Sequence, residues 1–289
     1  MSAAKILHVL VLMLIPCLIS LPAATAQLAA EPGVYLALGD SLAVGVGASA
    51  PSLGYVARLF SFLQDPRRSN GMTLKNLAIP GETSMSFLGS SAGQPSQVSQ
   101  ALAEIGAPTD VRVVTLDIGG NDILGLLRME PCASAPSSTA CQEIVASTLR
   151  AFSQSYPIIL QYLALALAAD ADAERLLIMT YYNPFTGTGS PYEGPADAAL
   201  LGSDRSVDCT ANASDPARIG LNDLITCIGR SYGGEIVDVY PRFTENTLAL
   251  THIGAGDIHP NDAGHAVIAD AFKTVFMASR VAYLPLVQR

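Results

Sequence analysis

The chain has 289 residues, 50% of them apolar and 14% charged, with a formal net charge of −9 at pH 7. That length supplies one large domain or two small ones, and the apolar share provides a core and excludes global disorder. The acidic balance argues against nucleic-acid binding and against tight adsorption to anionic lipid surfaces.

Residues 1–26 read as a secretory signal peptide: one positive charge at Lys5, the apolar run Ile6 to Leu21, then Ala24-Thr25-Ala26 with cleavage before Gln27. The run is about 16 residues long, short of the roughly 20 a spanning helix needs. Cys17 follows a proline, a poor context for a lipid-modified cysteine. The expectation is therefore export to the extracellular space or periplasm, with no stable membrane insertion once the leader is removed. Residues 27–289 then form a single, monomeric domain with a short apolar tail.

From Gly33 onward strand and helix signals alternate. Gly33 to Leu38 is a short apolar run ending at glycine, as a buried parallel strand does, and Tyr55 to Leu63 has helical spacing. Leu74 to Ile79 is a second strand and Val98 to Ile105 a helix. Val111 to Asp117, rich in β-branched residues, is the clearest strand. Cys141 to about Ala169 reads as one long helix kinked at Pro157. Leu176 to Tyr181 is a fourth strand, Ile219 to Ser231 a helix and Glu235 to Val239 a fifth strand. The last helix runs from Asp262 to about Ala278, capped by Asn261 or Asp262. Five strands alternating with helices predict an α/β protein, a three-layer α/β/α domain around a parallel sheet.

Two connections are long: 128–140, and 183–216, which is rich in Gly, Pro, Ser and Asp. The four cysteines of the mature chain fall in or beside them. An even count in an exported chain reads as disulfides, and sequence neighbours favour Cys132–Cys141 and Cys209–Cys227 among three connectivities. Zinc is disfavoured, because neither pair has C-x-x-C spacing.

In open α/β sheets, ligands bind outside the carboxyl ends of the strands. After the first strand comes Gly39-Asp40-Ser41-Leu42, after the second Pro80-Gly81-Glu82-Thr83, and after the third Gly119-Gly120-Asn121-Asp122. The fifth is followed at a distance by Asp257-Ile258-His259-Pro260. A hydroxyl, a glycine N–H, a carboxamide and an imidazole thus converge on one edge. Those are the parts of a serine acyl-transfer site, and each is weak alone.

With those blocks in hand, the sequence resembles the SGNH/GDSL hydrolases: Gly-Asp-Ser-Leu at 39–42, Gly81, Gly-Gly-Asn-Asp at 119–122 and His-Pro-Asn at 259–261. The resemblance implies a flavodoxin-like fold and hydrolysis of a small-molecule or lipid ester, with no cofactor and no metal. It implies Ser41 as nucleophile, His259 as base, and an oxyanion hole from the Ser41 and Gly81 N–H groups and the Asn121 side chain. Asn121→Ala is then expected to harm turnover more than binding, and Asp40 and Asp122 to hold loops or cap helices. In that family the acid that orients the base sits three residues before the histidine, which is Gly256 here. Asp257, two residues before, is the favoured partner of His259. The alternatives are a backbone carbonyl, Glu245 or Asp262.

The remaining signals are weaker. His265 falls in the first turn of the last helix, where surface or capping use is the default, and His252 is a lesser candidate to line the site. Asp257, His259 and His265 make a poor metal set without further ligands. Gly89-Ser-Ser91-Ala-Gly93 matches G-x-S-x-G but lacks the preceding strand that motif needs. Gly45-Val-Gly47 lies too far past the first strand for a dinucleotide loop. A non-catalytic carbohydrate- or lipid-binding domain, and a thioesterase or amide hydrolase, remain the rival readings. The loops at 82–97, 123–140 and 183–216 are expected to build the pocket, with Met85, Phe87, Leu124, Leu127 and Phe185 lining it or filling core.

Overall fold

The internal strand β1, Gly33–Gly39, is buried along its whole length, as a strand with neighbours on both edges and helices on both faces must be. It pairs in parallel with β2 (Met72–Asn76) on one side and β3 (Val111–Asp117) on the other. Beyond β3 lie β4 (Arg175–Met179) and β5 (Glu235–Val237), giving the order β2-β1-β3-β4-β5, all parallel. In this computed structural model the described residues are 33–65, 71–90, 93–108, 110–169, 174–202, 209 and 219–282. The leader expected at 1–26, the G-x-S-x-G serine Ser91, residues 203–208 and 210–216 of the 183–216 connection and the end of the tail lie outside them.

The helices complete a three-layer α/β/α sandwich, as the strand–helix alternation predicts. On one side α2 (Tyr55–Leu63) packs against α11 (Asp262–Ala282), with the Tyr55 and Phe272 rings stacked at 5.1 Å. On the other, α6 (Thr139–Leu167) contacts α3 (Ser84–Leu88), α4 (Gln97–Ile105) and α8 (Leu221–Ser231). Ser138 caps α6 by accepting the Cys141 N–H, and the helix continues through Pro157 rather than ending there. No helix among the described residues is long and apolar enough to cross a membrane.

Several boundaries and one helix differ from the sequence reading; β4, for one, ends at Met179 rather than Tyr181. Strand β2 ends at Asn76 rather than Ile79, because the Asn76 side chain accepts the Ala78 N–H and turns the chain. The Leu77 and Ile79 N–H groups nevertheless still reach the Ala37 and Gly39 carbonyls. Strand β5 stops at Val237, where side chains replace the ladder: Thr180 Oγ1 accepts the Val239 N–H and donates to Asp238. The 183–216 connection contains a helix, α7 (Glu193–Leu201), that the Gly and Pro of its first turn conceal in the sequence.

The cysteines pair as neighbours, Cys132 with Cys141 and Cys209 with Cys227, with sulfurs 1.98 and 2.01 Å apart. The first bridge ties the 128–140 connection to the start of α6, and the second reaches into α8.

Candidate active site

The site begins where β1 stops. Gly39 has φ +139°, and a Cβ there would lie 1.5 Å from an Asp117 carboxyl oxygen, so only glycine fits. The buried side chain of Gln97 clamps it, accepting the Gly39 N–H at 2.6 Å and donating to its carbonyl at 3.0 Å. Asp40 then caps the short helix α1 (Ser41–Val44), accepting the Leu42 N–H at 2.9 Å. Ser41 opens that helix, where backbone N–H groups lack a helical acceptor, and is only 9% exposed.

Asp40 does more than cap. Its carboxylate also accepts from the Tyr181 hydroxyl at 2.8 Å and from Asn121 Nδ2 at 3.2 Å. Burial pushes its pKa up to about 6, while the Leu42, Tyr181 and His259 groups pull the other way. Asp117, equally buried, is raised well above the usual carboxylate range by burial first and then by the charge of Asp40. Each of these two buried carboxyls thus disfavours ionisation of the other.

Asn121 sits in α5 (Gly120–Leu124), after β3, and its Nδ2 also donates to the Glu82 carbonyl at 3.0 Å. The neighbouring Asp122 accepts from the N–H and hydroxyl of Ser84, holding α3 as expected of a loop-binding carboxylate. Gly81, with φ +82°, makes the turn after β2; a Cβ there would meet nothing within 4 Å, so glycine serves the backbone angle and not the space.

His259 completes the set from the loop before α11. Its Nε2 lies 2.9 Å from Ser41 Oγ and its Nδ1 2.6 Å from Asp257 Oδ1. The same carboxylate oxygen accepts the His259 backbone N–H at 3.1 Å. The two-residue spacing thus suffices: one oxygen captures the main chain and the ring of the same histidine. Since Nδ1 faces a carboxylate it carries the hydrogen, which leaves Nε2 to accept from Ser41. Partial burial raises Asp257, but the two hydrogen bonds from His259 and its charge outweigh this and hold the carboxyl below its usual range. The other acids proposed for this role are elsewhere: Asp262 binds Ser49 through both oxygens and Glu245 is exposed. Ser41, Gly81, Asn121 and His259 line one cavity of about 290 Å³, which Tyr182 and Leu124 help to enclose.

The other histidines correct the sequence reading. His265 is fully buried rather than a surface or capping residue, because its ring joins two segments: Nδ1 accepts the Tyr55 N–H at 3.3 Å and Nε2 donates to the Val46 carbonyl at 3.0 Å. His252 does not line the cavity; its Nε2 lies 2.8 Å from the Gly47 carbonyl and its main chain pairs with His259. Gly45 ends α1 instead of cradling a phosphate. Among the described residues no cluster of His, Cys, Asp and Glu is placed to hold a metal. The sequence reading missed Gln97, Tyr181 and Tyr182. The sequence reading runs the fourth strand on to Tyr181, whereas β4 stops at Met179 and leaves Tyr181 and Tyr182 at the site.

Burial pulls His265 below its ordinary value, opposed by the Val46 carbonyl and reinforced by Arg58. The folded protein keeps it neutral where the unfolded chain, with a value near 6.5, takes up a proton. This contribution is whole above that value and is lost as the pH falls through it, by at most about 1.4 kcal/mol per pH unit. The thermal midpoint is expected to fall between about pH 7.5 and about pH 5.5, and to fall less in His265→Asn. Equal falls in the two proteins would refute this role.

The chain belongs to the GDSL-like lipase/acylhydrolase family, which matches residues 37–267. It is accordingly a carboxylic ester hydrolase. Its fold is similar to that of the lipase Lip_vut3 from a goat rumen metagenome, at a TM-score of 0.55 and 19% identity, over 84% of this chain and 97% of that one. It is also similar to an extracellular lipase from Streptomyces rimosus, at a TM-score of 0.53 and 21% identity, over 85% and 99%. A mutant of Axe2, an acetyl-xylooligosaccharide esterase from Geobacillus stearothermophilus, aligns at 0.50 and 16%, over 89% and 97%. No curated protein matched the sequence.

Proposed function

We propose that the chain is an exported serine esterase or lipase in which Ser41, His259 and Asp257 form the catalytic relay. The observation that carries this reading is the continuous line of hydrogen bonds from Asp257 through His259 to Ser41. Ser41 Oγ attacks the ester carbonyl as His259 Nε2 takes its proton, and Asp257 stabilises the imidazolium that results. The oxygen of the carbonyl becomes negative and is met by the Ser41 and Gly81 N–H groups and by Asn121 Nδ2. Both hydrogens of that amide are engaged in the free protein, so the substrate oxygen displaces the contact to the Glu82 carbonyl. His259 then returns its proton to the alcohol oxygen as the acyl–oxygen bond breaks. A water molecule repeats the sequence on the acyl-enzyme, releasing the acid and restoring Ser41.

Export rests on the leader-like residues 1–26 and on two cysteine pairs that an oxidising compartment would keep bonded. A binding domain on the same scaffold has no need of a serine hydroxyl aligned on a histidine, which sets that rival aside. The test is turnover of p-nitrophenyl acetate and butyrate, together with labelling by a fluorophosphonate. Hydrolysis with covalent label on Ser41 is expected. Folded, oxidised protein that neither turns over nor labels would overturn the assignment.

A further inference from the structure

Two further cavities adjoin the one that holds Ser41. The larger, about 590 Å³, runs between α5, α6 and α7 and shares Leu124, Tyr181 and Tyr182 with the nucleophile's cavity. Its walls are Ile123 and Leu127 on one side, Val145 and Leu149 of α6, and Ala199 and Leu200 of α7. The polar side chains Gln142 and Glu143, both exposed, stand at its rim. The smaller, about 400 Å³, shares Leu124 and Ile258 with the same site and is lined by Ile253 and Gly256 of the His259 loop, with Thr188, Ser190 and Tyr192 opposite.

The chemistry decides which half of an ester enters which cavity. His259 must hand its proton to the leaving alcohol oxygen, so the alcohol lies on the histidine's side, toward Ile258, Gly256 and the hydroxyls of Thr188 and Ser190. With the carbonyl oxygen directed at Asn121, the acyl group points away from His259. That direction leads past Leu124 into the large apolar space beside Gly120 and Ile123. A volume of this size is that of a complete ligand pocket, far more than an acetyl group fills.

On the reading of Ser41 and His259 given above, we propose that the cavity between α5, α6 and α7 is the acyl site, and that the substrates are esters of medium- and long-chain fatty acids. The Cys132–Cys141 bridge fastens one part of its wall, where Cys141 lines it beside Pro136 and Thr139. Burying a methylene in such a site raises kcat/KM by about fourfold.

The test is kcat/KM for p-nitrophenyl acetate, butyrate, octanoate and dodecanoate, measured on the oxidised full chain and on two variants that obstruct the cavity from opposite walls. Ala146→Phe does so from α6 and Ala198→Phe from α7. The unmodified protein is expected to favour octanoate over butyrate by about 10²-fold. Each folded variant is expected to lower the octanoate-to-acetate ratio at least tenfold. A flat or falling chain-length series, or unchanged ratios in both variants, would overturn the acyl site while leaving the nucleophile intact. If neither variant folds by thermal melting, the unmodified series alone decides. Absence of turnover on all four esters, with no fluorophosphonate label, is a different result: it overturns the Ser41 assignment itself.

Discussion

Replacing His259 by alanine is expected to lower kcat by on the order of 10⁶, and adding Ser41→Ala to it should cost nothing more. Ser41 Oγ lies 2.9 Å from His259 Nε2, so the two act as one device: without the base, the hydroxyl is too weak an acid to yield its proton. The residual rate should still exceed that in water, since the backbone donors of Ser41 and Gly81 survive both changes. Steady-state turnover of p-nitrophenyl butyrate by the two single variants and the double variant measures this. A double variant slowed by the full product of the two single losses would mean that the residues act independently, contrary to the geometry.

Asp257→Ala is the second large effect, a fall in kcat of between about 10² and 10⁴ with little change in KM. In the proposed relay the carboxylate does two things to His259: it fixes the hydrogen on Nδ1 and it stabilises the imidazolium. Its side chain is 48% exposed, so water screens part of the second effect and the loss should stop short of the upper figure. The first effect is geometric and survives exposure, because the same oxygen also holds the His259 main chain. Removing it frees both ring and backbone. Near-full activity in Asp257→Ala would show that the backbone alone orients the base.

How much of this was legible before the structure depends on distance along the chain. The sheet was, because each strand signals itself through local apolar runs, and so were Ser41, Gly81, Asn121 and His259, each at a strand end or in a short motif. Asp257 stood one residue from the expected register, and whether it reached the ring depended on a turn that sequence spacing does not describe. The support behind the site was hidden. Gln97 clamps Gly39 across 58 residues, Tyr181 reaches Asp40 across 141, and His265 reaches Val46 across 219. A buried glutamine or histidine with such remote partners looks, in sequence, like any polar residue on a helix. Helix α7 was lost for the opposite reason, since local Gly and Pro signals outweighed the burial of Ala196, Ala199 and Leu200.

The order of parts along the chain also has a temporal consequence. A polypeptide emerges N-terminus first, so Ser41, Gly81, Asn121 and the five strands leave the ribosome before Asp257 and His259 do. The base arrives in a segment held by Thr251 pairing with Pro260, by His252 on Gly47 and by His265 on Val46. In the proposed relay Ser41 has its base only once the segment that carries Asp257 and His259 has docked on the Gly47 and Val46 carbonyls.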